Sequence, residues 1–166
     1  MVEGPIPHKD FDKSKRPKVG LGIMLLNEFD EVLVSQRFAE EGHPFHLRWQ
    51  FPGGYLEFGE TFEEAGVREV REECAVDIDP TKLRYVTTMN VRGVEFEYHN
   101  VGIFMATQVI KEQIKPVNTE PEKNSDWSWV KWEDFIKRDN LFHPFHYFIE
   151  QGFADLDKIK KQAGFI

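Results

Sequence analysis

Residues 54–76 read GYLEFGETFEEAGVREVREECAV, a spacing that predicts a glycine turn leading into an acidic helix over Thr61–Ala75. Thr61 stands as the N-cap with Glu64 three residues on, the capping-box arrangement in which each side chain satisfies a backbone N–H of the other. At about 100° per residue, with Phe62 at zero, Gly66 and Val70 fall within about 80° and Ala65 about 60° the other way, which marks an apolar face. Glu69 and Glu73 land within about 20° of Phe62, and Glu72 about 80° away. Three carboxylates are therefore expected on the packed side, whereas Glu63, Glu64 and Arg71 belong to a solvated, ion-paired arc. Carboxylates grouped on a partly buried face repel one another and lose hydration unless a cation sits between them. Hard oxygen ligands of this kind suit Mg²⁺, with Mn²⁺ as a substitute, and Mg²⁺ commonly bridges to substrate phosphates. Just upstream, Pro52-Gly53-Gly54 lets the backbone turn and come close to a ligand, since glycine has no Cβ. A backbone carbonyl there is placed to join the carboxylates.

Around this segment the chain mixes strands and helices, the mark of an α+β domain. Val19–Leu26, with Gly20 and Gly22 inside it, and Glu31–Arg37 are predicted strands joined by a turn at Asn27–Asp30. A loop over 38–48 leads to a short strand at Trp49–Phe51. Beyond Pro80, strands are predicted at Leu83–Val91 and Glu95–Gln108, separated by Arg92-Gly93-Val94, and at Asp126–Trp132 after a polar loop with Pro116 and Pro121. From Glu133 onward helical pieces are expected, interrupted by Pro144 and Gly152. Residues 1–17 are polar, carry Pro5, Pro7 and Pro17, and read as a mobile arm ahead of one domain over 18–166.

The 166 residues include 15 Phe, four Trp and four Tyr, a content that argues for a packed core. Cys74 alone excludes an intramolecular disulfide framework and a cysteine-based zinc site, and its place near the apolar arc makes it a small packed hydrophobe. His143 and His146 have no third ligand nearby in sequence and read as a polar pair rather than a zinc site. No apolar run approaches the ~20 residues needed to cross a bilayer. The first residues show no apolar signal-peptide core, so a cytoplasmic protein without membrane contact is expected. A net charge of −8 repels polyanions and argues against polymeric nucleic acid as a partner. Six glutamates and two arginines between Glu60 and Glu73 supply half of that excess. An anionic substrate is therefore expected to arrive with metal, and to be small.

Gly54, five residues, Glu60, seven residues, then Arg68-Glu69-Val70-Arg71-Glu72-Glu73 is similar to the Nudix box, G-x5-E-x7-R-E-U-x-E-E-x-G-U with U apolar. Every charged position is filled; the one departure is Ala75 where the pattern has Gly, at a cost of roughly 1 kcal/mol if that residue is left-handed. The resemblance implies the Nudix fold, a mixed β-sheet sandwiched between α-helices (α/β/α). It implies that the Gly53 carbonyl and the carboxylates of Glu69, Glu72 and Glu73 hold Mg²⁺, with Arg68 and Glu60 orienting the cluster. The reaction implied is hydrolysis of a nucleoside diphosphate linked to another moiety, by water attack on phosphorus. Glu69 or Glu73 is favoured as the base, with Glu120 or Glu122 as outsiders.

The runs Phe51–Thr61 and Glu120–Asn124, with Trp127–Glu133, resemble more closely the MutT-related nucleotide triphosphate diphosphatases of the human type-15 Nudix group. That likeness implies release of pyrophosphate from nucleoside triphosphates, including modified-base ones, by a homodimer. It also implies that Arg37, Gln50 and Gly54 approach the substrate and that Phe142 and Phe145 wall the base pocket, where a flat ring can stack on a base. The group's signature Trp and Gly in this run are His143 and Pro144 here, and its pocket Thr is Gly102, so no base preference carries over. Two other readings stand beside this one. One is a Nudix hydrolase for a nucleotide-sugar, dinucleoside or cap; the other is a catalytically silent nucleotide-binding scaffold, against which the filled charged positions speak.

Overall fold

From Leu21 to Leu26 every residue except Gly22 is apolar, a run that can be covered on both faces only at the centre of a sheet. In the computed structural model, which describes residues 15–93 and 98–166, that is where it lies. Strand β1 (Lys18–Asn27) pairs antiparallel with β2 (Glu31–Gln36), and β3 (Trp49–Gln50) pairs with the far end of β2. Across the sheet β4 (Arg84–Gly93) lies antiparallel to β5 (Tyr98–Val109). β5 runs parallel to β1 in unbroken register from Lys18–Asn100 to Asn27–Val109. A sixth strand, β6 (Ser128–Lys131), pairs with β2.

Alternation of side chains along β1 sends Leu21, Ile23 and Leu25 to one face and Met24 and Leu26 to the other. The first face is covered by α1 (Phe62–Cys74), through Ala65, Val70 and Cys74. The second is covered by α2 (Trp132–Phe135), α3 (Pro144–Glu150) and α4 (Leu156–Gln162). Here much of the phenylalanine content is used: Phe51, Phe104, Phe145 and Phe148 meet edge to face or tilted, at centroid distances of 4.6–5.7 Å. The expected α+β sandwich, with a mixed sheet between helices, is the observed one.

β1 and β2 part beyond Leu26–Val32, and the chain from 49 to 56 fills the wedge between them. Ile23 N–H donates to the Pro52 carbonyl, Leu21 N–H to the Gly54 carbonyl and Leu56 N–H to the Val19 carbonyl. On the opposite side Trp49 and Gln50 pair with Gln36 and Ser35. The residues ahead of the acidic helix are thus anchored to β2 through Trp49 and Gln50 and to β1 through Pro52, Gly54 and Leu56.

The capping box forms as expected, with Thr61 as N-cap, and Ala75 closes α1 at φ 53°, ψ 34°. Several boundaries differ from expectation. Trp132 opens α2 instead of ending β6, and its indole N–H donates to the Ala154 carbonyl. Pro144 does not interrupt a helix; it stands in the first turn of α3, where its missing N–H is no loss. Phe62 is exposed although Glu73, about 20° from it on the helix, is buried: it opens the first turn of α1, and the residues packed on the sheet, Ala65, Val70 and Cys74, lie further along. Lys15–Pro17 are exposed coil, while residues 1–14 and the expected strand start at Glu95 lie outside the described residues.

Ala75 carries a left-handed conformation that costs an L-residue about 1–2 kcal/mol. Ala75→Gly should raise stability by about 1 kcal/mol, less a few tenths for unfolded-state entropy. Chemical denaturation should show a higher midpoint with unchanged slope; a lower midpoint would contradict the assignment of this residue as a strained cap.

Candidate active site

Alternation fixes the turn that meets the acidic helix. The carbonyls of Pro52 and Gly54 point at β1, so the N–H and C=O of Gly53 between them face the other way. There Gly53 N–H donates to Glu73 Oε2 at 2.8 Å. A Cβ at Gly54 would lie 2.3 Å from Glu69 Oε1, so only glycine allows that carboxylate to rest on the turn. Glu69 and Glu73 thus converge on the Gly53–Gly54 corner, both largely buried.

Arg68 ties the corner together. Its Nε and one terminal nitrogen donate to the two oxygens of Glu60, at 2.6 and 2.9 Å. That same nitrogen donates to the Tyr55 carbonyl at 2.9 Å, and the other to Glu69 at 2.8 Å and Glu72 at 3.3 Å. Glu57 N–H adds a further bond to Glu60. Glu72 is the exception to the helical-face expectation: its side chain is 57% exposed and reaches the cluster only through Arg68.

The electrostatics divide these carboxylates. Arg68, helped by Glu57 N–H, holds Glu60 down at about 2. Burial pushes Glu73 up to about 8, with Glu69 and Glu120 adding like charge and Gly53 N–H opposing. Burial also raises Glu69, against the pull of Arg68. Two largely buried carboxylates beside an exposed third form an all-oxygen donor set that suits a hard divalent cation. Among the described residues no three such groups already converge on one point. Arg68 draws Glu69 and Glu72 to itself, and Gly53 holds Glu73.

The same corner opens onto a cavity of about 130 Å³ on the α3 face of the sheet, lined by Arg37, Gln50, Gly53, Gly54, Phe142 and Phe145 among others. All five residues expected near the substrate therefore share one wall system, but unequally. Arg37 is exposed, with its guanidinium 5.7 Å from the Phe142 ring centroid. Gln50 is buried and donates to Asn124 Oδ1 at 2.7 Å. Phe145 is 1% exposed and packed among Phe51, Phe104 and Phe135; it belongs to the core and only closes the cavity floor. Glu120 faces Glu69 and Glu73 closely enough to act on both. Cys74 is fully buried, its thiol pushed up by burial, and His143 and His146 stack edge to face at 5.9 Å. Sequence reasoning missed the lining residues Gly20, Phe45, Tyr98 and Asn100. One signal was available: Gly20 and Gly22 fall on the same face of β1.

The NUDIX domain model matches residues 16–151. The chain belongs to the Nudix hydrolase family. Nudix hydrolase 2 of Arabidopsis thaliana is 26% identical over 125 residues, which span 73% of this chain but only 41% of that relative. An RNA pyrophosphohydrolase of Shewanella frigidimarina is 29% identical over 130 residues, 69% of this chain and 71% of the relative. Among solved structures, the MutT NUDIX hydrolase from Burkholderia pseudomallei superimposes with a TM-score of 0.68 at 22% identity, covering 82% of this chain and 98% of that one. Nudix membership sets the reaction class, hydrolysis of nucleoside diphosphate-linked substrates. No helix among the described residues is long and apolar enough to cross a membrane.

In metal-free protein, folded Glu73 keeps its proton up to about pH 8, whereas the unfolded side chain loses it near 4.5. Between these values the native state binds the extra proton, so stability falls as pH rises through the window. Melting in chelator from about pH 5 to about pH 8 should show a declining Tm, and Glu73→Gln, with no proton to lose, should flatten the decline. An identical slope in the variant would contradict the assignment.

Proposed function

We propose that this Nudix hydrolase cleaves nucleoside triphosphates, modified-base forms included, to nucleoside monophosphate and pyrophosphate in a Mg²⁺-dependent reaction. One observation carries the reading: Gly53 and Gly54, which meet Glu73 and Glu69 of the acidic helix, also line the aromatic cavity walled by Phe142 and Arg37. A flat base suits the cavity and a polyphosphate the neighbouring corner. The finer resemblance to the type-15 group, with its homodimer, supports the same choice.

In this reading the Gly53 carbonyl and Glu69, Glu72 and Glu73 hold the metal, and Arg68 and Glu60 orient them. Mn²⁺ serves as a substitute, since the donors are all hard oxygens. A bound divalent cation neutralises the diphosphate and lowers the pKa of a coordinated water. Glu69 or Glu73, each ionised once a cation is bound, would take the water's proton. Arg37 approaches the phosphates, Gln50 and Gly54 line the cavity, and Phe142 offers the base its ring face. The similarity to RNA pyrophosphohydrolases favours a second reading, in which the same pyrophosphate is removed from a triphosphorylated RNA 5′ end.

Incubation of the protein with a panel of triphosphates and Mg²⁺ should release pyrophosphate and monophosphate. Glu73→Gln should cut turnover by more than about a hundredfold, and Glu60→Gln by about 10- to 100-fold with partial recovery at high Mg²⁺. Release of single phosphate, or indifference to Glu73→Gln, would overturn the proposal. Faster turnover of a triphosphorylated oligonucleotide than of any free triphosphate would favour the second reading.

A further inference from the structure

Glycines at packed positions of this fold divide into two kinds. A Cβ at Gly53 would lie 2.0 Å from the Leu21 carbonyl oxygen, and one at Gly54 2.3 Å from Glu69 Oε1. At Gly22 it would lie 2.4 Å from the Phe104 ring, and at Gly66 2.7 Å from Leu83 Cδ2. Packing compels glycine at those four. Gly20 and Gly102 are different: the nearest atom to an added Cβ is Asn100 Nδ2 at 3.7 Å in one case and Met89 Cε at 3.4 Å in the other, both ordinary contacts. Neither residue has positive φ, and the β1–β5 register runs through both without a bulge. Glycine weakens a strand interior; Gly20 bridges Tyr55 with the Gly54 carbonyl 3.8 Å from an added Cβ, but no clash at either position requires glycine, which leaves the near approach of a ligand as a use for both.

These two residues are direct partners, Gly20 opposite Gly102, and both line the cavity that opens from the acidic corner. Adjacent strands stand about 4.8 Å apart, so the two bare positions make a flat floor two strands wide. A single six-membered ring covers one of them and leaves the other without contacts; two fused rings cover both. Phe45 and Phe142, in edge-to-face contact at 4.9 Å, stand among the other walls, and the Asn100 amide is held at the side by its bond to Tyr98 Oη at 2.8 Å.

We propose that Gly20 and Gly102 are specificity-determining positions, whose missing side chains leave the floor on which a bicyclic, purine-sized base lies. This rests on the nucleotide reading of the site, and names the base class that reading leaves open.

The test titrates the unmodified protein, Gly20→Ala and Gly102→Ala with AMP, GMP, CMP and UMP in a calorimeter, alongside thermal melts. Monophosphates are used because their binding requires no turnover, so absence of triphosphate hydrolysis and absence of base selectivity register as separate failures. The unmodified protein should bind the purine monophosphates more tightly. Both variants should melt at or slightly above the unmodified temperature, since the added methyl meets only ordinary contacts and alanine orders a strand at lower entropic cost than glycine. Their purine-to-pyrimidine preference should fall about tenfold, the scale on which one extra carbon in a pocket discriminates. Equal affinity for purines and pyrimidines in the unmodified protein, an equal loss for both classes in the variants, or variants that fail to fold would each overturn the proposal.

Discussion

The guanidinium of Arg68 is the group on which the turn, the helix and the carboxylates all depend. It crosses from α1 to the chain ahead of it, holding Glu60 in a two-point bond and the Tyr55 carbonyl beside it, while its remaining nitrogen gathers Glu69 and Glu72. A planar fork is needed for this; a lysine would bring the same charge as a point and could not satisfy partners in fixed directions. Arg68 and burial between them sort the acids. Arg68 holds Glu60 at about 2, whereas burial pushes Glu73 up to about 8 and raises Glu69 even against its bond to the arginine.

That sorting would be useless without the wedge between β1 and β2. Because the two strands part, the chain from 49 to 56 enters between them and brings Gly53 and Gly54 to the sheet margin, where α1 on one face and the cavity on the other both reach them. The corner is therefore the one place where the acidic helix and the aromatic face of the sandwich meet. Packing glycine at 53 and 54 serves this approach directly, since any side chain there would strike the Leu21 carbonyl or the Glu69 carboxylate.

Local chemistry was legible in the sequence where short-range pattern determines structure. The capping box at Thr61 and Glu64, the left-handed exit at Ala75 and the apolar centre of β1 all follow from residues within a few positions of one another. Where the outcome depends on which elements meet, the same sequence misled. Phe62 reads as the centre of an apolar face, yet it lies in the first turn of α1, beyond the strands that cover Val70 and Cys74. Phe145, which reads equally as a pocket ring or a core aromatic, is both: three neighbouring phenylalanines pack around it, and it lines the cavity. Asn100 and Tyr98 carried no local signal, because they become a wall only when β5 is laid beside β1. Gly20 was readable in principle: a glycine two residues from another on one strand face announces a bare strip, though not what covers it.

Charge completes the division between corner and cavity. Half of the −8 excess lies between Glu60 and Glu73, yet among the described residues lining the cavity Arg37 is the one charged side chain. The buried carboxylates Glu69 and Glu73 thus stand at the corner and outside the cavity lining, where Arg37 is joined by aromatic, amide and aliphatic side chains. A long polyanion would have to leave that corner across a surface whose net charge repels it. The single nucleotide proposed above would meet a cation at the corner and aromatic rings in the cavity, with no long backbone to carry across that surface.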